Sequence, residues 1–229
     1  MLHGFLSIVA AFCLILILMV TAAERAVYSD FGFYESRYEK YEVLKDLKME
    51  MSDTMDVTHH MMLYLIGQKE DLVIETNVDG QMQEFFNDRE KAHMEDVKGL
   101  FLGAVNIRRI SFVCFLLSMM ALIMLKGNWK KLLPAMYIYE VTTFTALLGL
   151  LAFLLSRNFS KYFVIFHELF FDNDLWLLDP ETDLMIRMLP EGFFFDFAFR
   201  IGLFMIVVLL FAFLISVFLY GKNKNLAKK

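Results

Sequence analysis

The sequence predicts an all-α membrane protein, a bundle of four transmembrane helices with a small extracellular α+β domain of helices and a β-hairpin. Three observations point there. Of 229 residues, 58% are hydrophobic, with 25 Phe and 16 Met, which is more apolar surface than a soluble domain of this length needs. Four stretches are long enough to cross a bilayer as helices, at 1–23, 110–125, 132–155 and 199–220. The charges between them are segregated: the loop 126–131 (KGNWKK) holds three Lys and no acid, and the tail 221–229 (GKNKNLAKK) holds four Lys and no acid. Segment 24–109 sets 11 Lys and Arg against 18 Asp and Glu, and segment 156–198 sets 3 against 8.

Short basic loops stay in the cytoplasm. The loop 126–131 and the tail 221–229 are therefore expected inside, the two acidic segments outside, and both termini in the cytoplasm. The first stretch reads as a retained helix. VTAAERA offers small residues for a signal peptidase, but Met1-Leu2-His3 lacks Lys and Arg and the apolar run is near full membrane length. Cleavage would leave the rest oriented the same way. Cys13 and Cys114 both fall in apolar stretches, so the outer segments are no disulfide scaffold, a usage that fits a bacterial plasma membrane.

Segment 24–109 is long enough to fold. Tyr34, Tyr38, Tyr41, Leu44, Leu47 and Met51 recur at helical spacing, so 33–66 reads mainly as helix, with Ser52 or Asp53 capping a second helix that Gly67 stops. Asp79-Gly80 between β-rich residues predicts a hairpin with strands at about 72–78 and 81–85. Asn87 or Asp88 then caps a helix running through His93 into the second span. In 156–198, Asp179-Pro180 with Thr182-Asp183 marks a turn, and Pro190 suits the start of the helix into span four. The density of Phe, Leu and Trp there admits two readings, a segment lying in the outer leaflet interface or packing on the hairpin.

Two histidines stand out. Glu90 and Asp96 lie three residues either side of His93, so either shares its face and could hydrogen-bond the imidazole, fixing the tautomer and leaving one nitrogen basic. The bland reading is a solvated helix start, with Arg89 and Lys91 as salt-bridge partners. His167 sits in FVIFHELFF, where an ionisable group is costly unless partnered; the alternative is a core histidine bonded to a backbone carbonyl. By the charge pattern both lie outside. His59 and His60 are adjacent, point to different sides of a helix, and read as packing or polar surface. Glu140, in span three, is either part of a proton or ion path or a helix–helix hydrogen bond. No GxSxG, HExxH, Walker or glycine-rich phosphate motif occurs. A metal held by His93, His167 and Asp172 or Asp174 has no diagnostic spacing, and none is expected. With no Cys and few Ser outside, a nucleophile for acyl transfer must come from the substrate.

REKAHMEDVKGLF (89–101), after a DG hairpin and before a span, resembles the signature of the bacterial lipoprotein intramolecular transacylases. FHELFFDNDLWLLDPETDLMIRMLPEGFFF (166–195) before a last span is similar to that family's second block. The resemblance implies an enzyme of the plasma membrane's outer face. It moves the sn-2 acyl chain of a lipoprotein's diacylglyceryl-Cys to the α-amino group, giving a lyso-form N-acyl lipoprotein. It also implies His93 and His167 as the catalytic pair, with Asp96, Glu90 and Arg89 in support. The amine needs a base, assigned to His93 and oriented by Asp96 or Glu90; the oxyanion and the leaving oxygen need a donor, assigned to His167. Phe166, Phe170, Phe171, Trp176 and Phe194 would line the acyl chain. The expected partners are the diacylglyceryl lipoprotein and membrane lipids, with no cofactor, metal or nucleic acid. Two competing readings are an outer-leaflet lipid or ester hydrolase using the same histidines, with or without a metal, and a non-enzymatic regulatory membrane protein.

Overall fold

The computed structural model describes residues 1–226; Ala227 to Lys229 of the basic tail lie outside the described residues. The chain is mostly helical, with four long apolar helices and one two-stranded sheet. The long helices are α1 (Leu2–Tyr28), α5 (Asp88–Met124), α6 (Trp129–Arg157) and α9 (Glu191–Leu226). Between α1 and α5 come α2 (Gly32–Lys40), α3 (Val43–Leu47), α4 (Met51–Leu65) and strands β1 (Glu75–Val78) and β2 (Gln81–Glu84). Between α6 and α9 come α7 (Phe159–Phe170) and α8 (Leu184–Met188). The fourth span extends past its expected end, because α9 continues through Gly221 into the Lys-bearing tail.

The chain divides into two compact units. One comprises residues 1–26, 104–154 and 199–229, and the other 27–103 and 155–198. The first holds the apolar spans. Its core is Ala11, Ile15, Tyr137, Val141 and Leu209, and the Tyr137 hydroxyl donates to the Leu209 carbonyl at 3.3 Å. Arg108 pairs with Glu24 in this unit. Glu140 borders a groove of about 640 Å³ with Ile8, Val9, Phe12, Met136 and Tyr139. Both its carboxyl oxygens are buried and bond no group among the described residues, so of its two readings the helix–helix hydrogen bond is not made there.

The second unit is held by an aromatic stack. Tyr38 lies parallel to Phe193 at 5.7 Å, and Tyr34 packs on Phe197 at 4.9 Å. Tyr38, fully buried, shares a 2.7 Å hydrogen bond with Thr58 of α4. Asp196 gathers Arg37 (2.8 Å), Lys40 (2.6 Å) and the Tyr41 hydroxyl (3.0 Å), tying α2 to the first turns of α9. Tyr41 also donates to the Gly192 carbonyl at 2.8 Å, and a Cβ on Gly192 would sit 2.5 Å from the Tyr41 ring, so only glycine allows this approach. The first of the two helices expected over 33–66 is itself interrupted. Glu42 takes a left-handed conformation (φ 53°) between α2 and α3.

The hairpin pairs Val78 with Gln81 across Asp79 (φ 52°) and Gly80 (φ 79°), both in the left-handed region that a two-residue type I′ turn requires. Gly67, at φ 75°, follows α4 as expected. That helix is not capped by Ser52 or Asp53. It begins at Met51, which puts Asp53 in its first turn, where an acid favours the helix dipole. The α7 helix has two faces. His167 is buried, while Val164, Ile165, Phe166, Leu169 and Phe170 are exposed.

Candidate active site

The site is built at the start of α5. Asn87 accepts the Glu90 N–H through its side-chain oxygen (3.0 Å), and Glu90 accepts the Asn87 N–H in return (2.8 Å). This reciprocal capping box satisfies two donors that a helix start leaves open. The second Glu90 oxygen accepts the Met185 N–H at the start of α8, at 2.6 Å. Asp183 accepts the Asn87 amide at 2.7 Å and the Asp179 N–H at 2.7 Å. Glu90 is fully buried and Asp183 nearly so. The Asp183 carboxyl is held below its ordinary range, because these hydrogen bonds and the nearby charge of Arg89 outweigh its burial. The α5 start is thereby fastened to the 179–185 turn.

His93 lies one turn further along α5 and is 6% exposed; His167 of α7 is 7% exposed. Their ring centroids are 6.0 Å apart, tilted by 33°. Phe171 edges onto His93 at 5.3 Å and also contacts His167 at 5.6 Å. Phe163 (4.3 Å), Trp176 (4.9 Å) and Phe166 (5.4 Å) complete the cage around His167. Phe170 packs on Phe166 and Phe194 on Phe163, one layer outside the pair.

The orienting partner is not where the spacing placed it. Glu90 is committed to two backbone N–H groups, and Asp96 accepts the Asn173 side-chain amide at 2.9 Å. Among the described residues Nδ1 of His93 is buried with no hydrogen-bond partner. The oriented ring is His167, whose Nδ1–H donates to the Phe163 carbonyl one turn back at 2.7 Å. A carbonyl only accepts, so the bond puts the proton on Nδ1 and leaves a lone pair on Nε2. His59 makes the same bond, to the Met55 carbonyl at 2.7 Å, but stacks on Phe31 instead of a second imidazole. The carbonyl alone therefore does not define the site; the facing ring does. His60 reaches the Asp71 carbonyl at 3.2 Å, as a surface residue.

The part of α5 that carries His93 precedes the apolar run at 110–124 and belongs with the aromatic-stacked unit. Burial, and then the adjacent imidazole, pull His93 down to about 4, against an upward pull from Asp96. Burial also lowers His167, opposed by its bond to Phe163. Both rings are thus neutral at pH 7. Because the folded values are depressed, the unfolded chain binds more protons below about 6.5. Stability should be complete above that pH and fall as pH drops toward 4. Thermal midpoints in detergent between pH 7 and 4.5 check this, and His93→Asn should flatten the decline.

A strap of residues 172–178 is tied to α5 and packs Trp176 on His167. Arg89 donates to the Asp174 carbonyl, Asn173 donates to Asp96, and the Trp176 indole N–H donates to the Asn173 carbonyl at 3.0 Å. Arg89 thus holds the strap rather than an imidazole. A backbone-carbonyl partner was one of the two sequence readings of His167, though without saying which carbonyl; Asp183 was read only as part of a turn, and Asn173 was not singled out. Of the local contacts, the Asn87 to Glu90 spacing of a capping box was the one visible there.

The fold is that of a helical membrane protein with two buried imidazoles facing each other. A model of the family described as lipoprotein intramolecular transacylase Lit matches residues 8–194, and the chain belongs to that family. An uncharacterized protein from Aquifex aeolicus is 32% identical over 147 residues, 60% of this chain and 61% of that one. The membrane integral lipoprotein intramolecular transacylase Lit from Bacillus cereus has the same fold, with a TM-score of 0.76 over 97% of each chain at 22% identity. A variant of that protein with a histidine changed to arginine gives 0.71 at 20% identity, covering 97% of this chain and 93% of that one.

Proposed function

We propose that this protein is an acyltransferase of the plasma membrane that carries out an intramolecular O-to-N shift. It moves the sn-2 acyl chain of a lipoprotein's diacylglyceryl-Cys to the α-amino group of the same Cys. The observation that carries this is the pair of neutral imidazoles, one oriented and one with an unpartnered buried nitrogen, inside a cage of Phe and Trp. The ring contacts of the pair are aromatic and offer no nucleophile, which suits a reaction whose nucleophile is the substrate's amine.

His167 takes the role that the spacing had suggested for His93. Its Nε2 accepts a proton from the amine as nitrogen attacks the ester carbonyl carbon. The C–N bond forms, and the oxyanion receives a hydrogen bond from His93. His167 then returns the proton to the glyceryl oxygen as the C–O bond breaks. Counted from the neutral amine, the shift gains and loses no proton. Amine and ester share one molecule, so holding them together supplies much of the rate. Phe166, Phe170, Phe171, Trp176 and Phe194 supply the apolar wall for the acyl chain. The short basic loops support cytoplasmic termini and a site at the outer face.

Purified protein incubated with a synthetic diacylglyceryl lipopeptide tests the reading. The product should have unchanged mass, with fragmentation locating one acyl chain on the α-nitrogen. Release of free fatty acid, with no isomer formed, would instead establish the hydrolase.

A further inference from the structure

Asp96 has no role in the mechanism above, yet it is one helical turn from His93 and its charge acts on that ring. Several carboxylates of this unit pair with cations, Asp196 with Arg37 and Lys40, Asp46 with Arg187, Glu84 with Lys91 and Asp174 with Arg89, but none of these cations reaches Asp96. Glu90 is spent on backbone N–H groups. Asp96 is held by a neutral amide, through one oxygen, and pairs with no Lys or Arg among the described residues. The amide that holds it belongs to the strap carrying Trp176 onto His167, so the carboxylate is fixed at the rim of the imidazole pair.

Resting on the transacylase reading, we propose that Asp96 receives the α-ammonium of the substrate's lipidated cysteine. An unacylated α-amine has an ordinary pKa near 8 and arrives largely protonated at pH 7. Two imidazoles kept neutral by burial offer it no counter-charge; Asp96 does. The ammonium donates one N–H to the free Asp96 oxygen and a second to Nε2 of His167. The proton on that second bond leaves through His167 to water, which gives a neutral amine still held by one N–H to Asp96. As its lone pair forms the new C–N bond, a second N–H proton passes to His167 and on to the glyceryl oxygen while the C–O bond breaks, and the third N–H stays on the amide nitrogen at Asp96. Asp96 thereby selects a free α-amine and aims it. A substrate already acylated on nitrogen presents no charge and is bound poorly, so the product leaves.

Two non-reacting ligands test this, both with ether links in place of the esters: a dialkylglyceryl-cysteinyl peptide with its α-amine, and the desamino form carrying hydrogen there. The intact protein should bind the amine form about tenfold to a hundredfold more tightly, the range a charge-assisted hydrogen bond spans. Asp96→Asn keeps an oxygen for Asn173, so the strap stays in place, and the preference should fall to near unity. Asp96→Glu should recover part of it. Retained preference in Asp96→Asn would overturn the assignment. Wild-type protein that shifts acyl chains yet binds both ligands equally would also remove the ammonium site while leaving the function. Preference without any acyl shift would remove the function and leave the site.

Discussion

Asparagine in place of His167 should slow acyl migration by about 10²- to 10⁴-fold, the contribution of a positioned general base. The amide is close to imidazole in size and can still donate to the Phe163 carbonyl, so the cage of Phe163, Phe166, Phe171 and Trp176 has no reason to collapse. It cannot accept a proton at neutral pH. His93→Asn should also cost activity, but less, because an amide N–H can still donate toward the oxyanion. Conversion rates of a diacylglyceryl lipopeptide, read beside thermal midpoints in detergent, separate chemistry from folding. If either variant converts at near the wild-type rate, that histidine leaves the mechanism. Equal losses in the two would point to interchangeable roles.

Removing the Glu90 side chain should be the most damaging change to stability. The carboxylate is fully buried and accepts the N–H groups of Asn87 and Met185. Alanine strands both donors, at about 1–3 kcal/mol each, and opens a void beside them. A loss of about 3 kcal/mol or more is expected, with the α5 start and the α8 turn loosening together. Glu90→Gln keeps one acceptor oxygen and should fall between. Hydrogen exchange localised to residues 87–93 and 183–188 checks the coupling. A Glu90→Ala protein with wild-type exchange there would show that the clamp is not what joins them.

Local signals carried much of the architecture. Asp79-Gly80 marked the hairpin because a two-residue turn needs two left-handed residues, and few other pairs supply them. The four spans followed from length and apolarity. His167 was visible because an ionisable group in an apolar run must have a partner, and His93 because Glu90 and Asp96 flank it at helical spacing within a family-like motif. What the sequence did not carry was the choice of partner. Spacing put Glu90 and Asp96 on the face of His93, but each is taken by a group from beyond residue 170, Met185 N–H and the Asn173 amide. The partner of His167 is a main-chain carbonyl, available at every helical position and so marked by no residue type. The interruption at Glu42 is set likewise from afar, by Tyr41 turning to Gly192 and Asp196.

The carbonyl behind His167 has a consequence for how the proton travels. In a hydrolase triad a carboxylate behind the imidazole stabilises the cation and biases the ring toward keeping what it takes. A neutral carbonyl in a buried setting gives the imidazolium much weaker support. In the proposed acyl shift the ring would therefore act as a loose carrier that sheds its cargo to the first adequate acceptor. For a rearrangement in which the same proton must leave nitrogen and arrive on oxygen within one encounter, weak retention shortens the lifetime of the charged state and commits the intermediate forward.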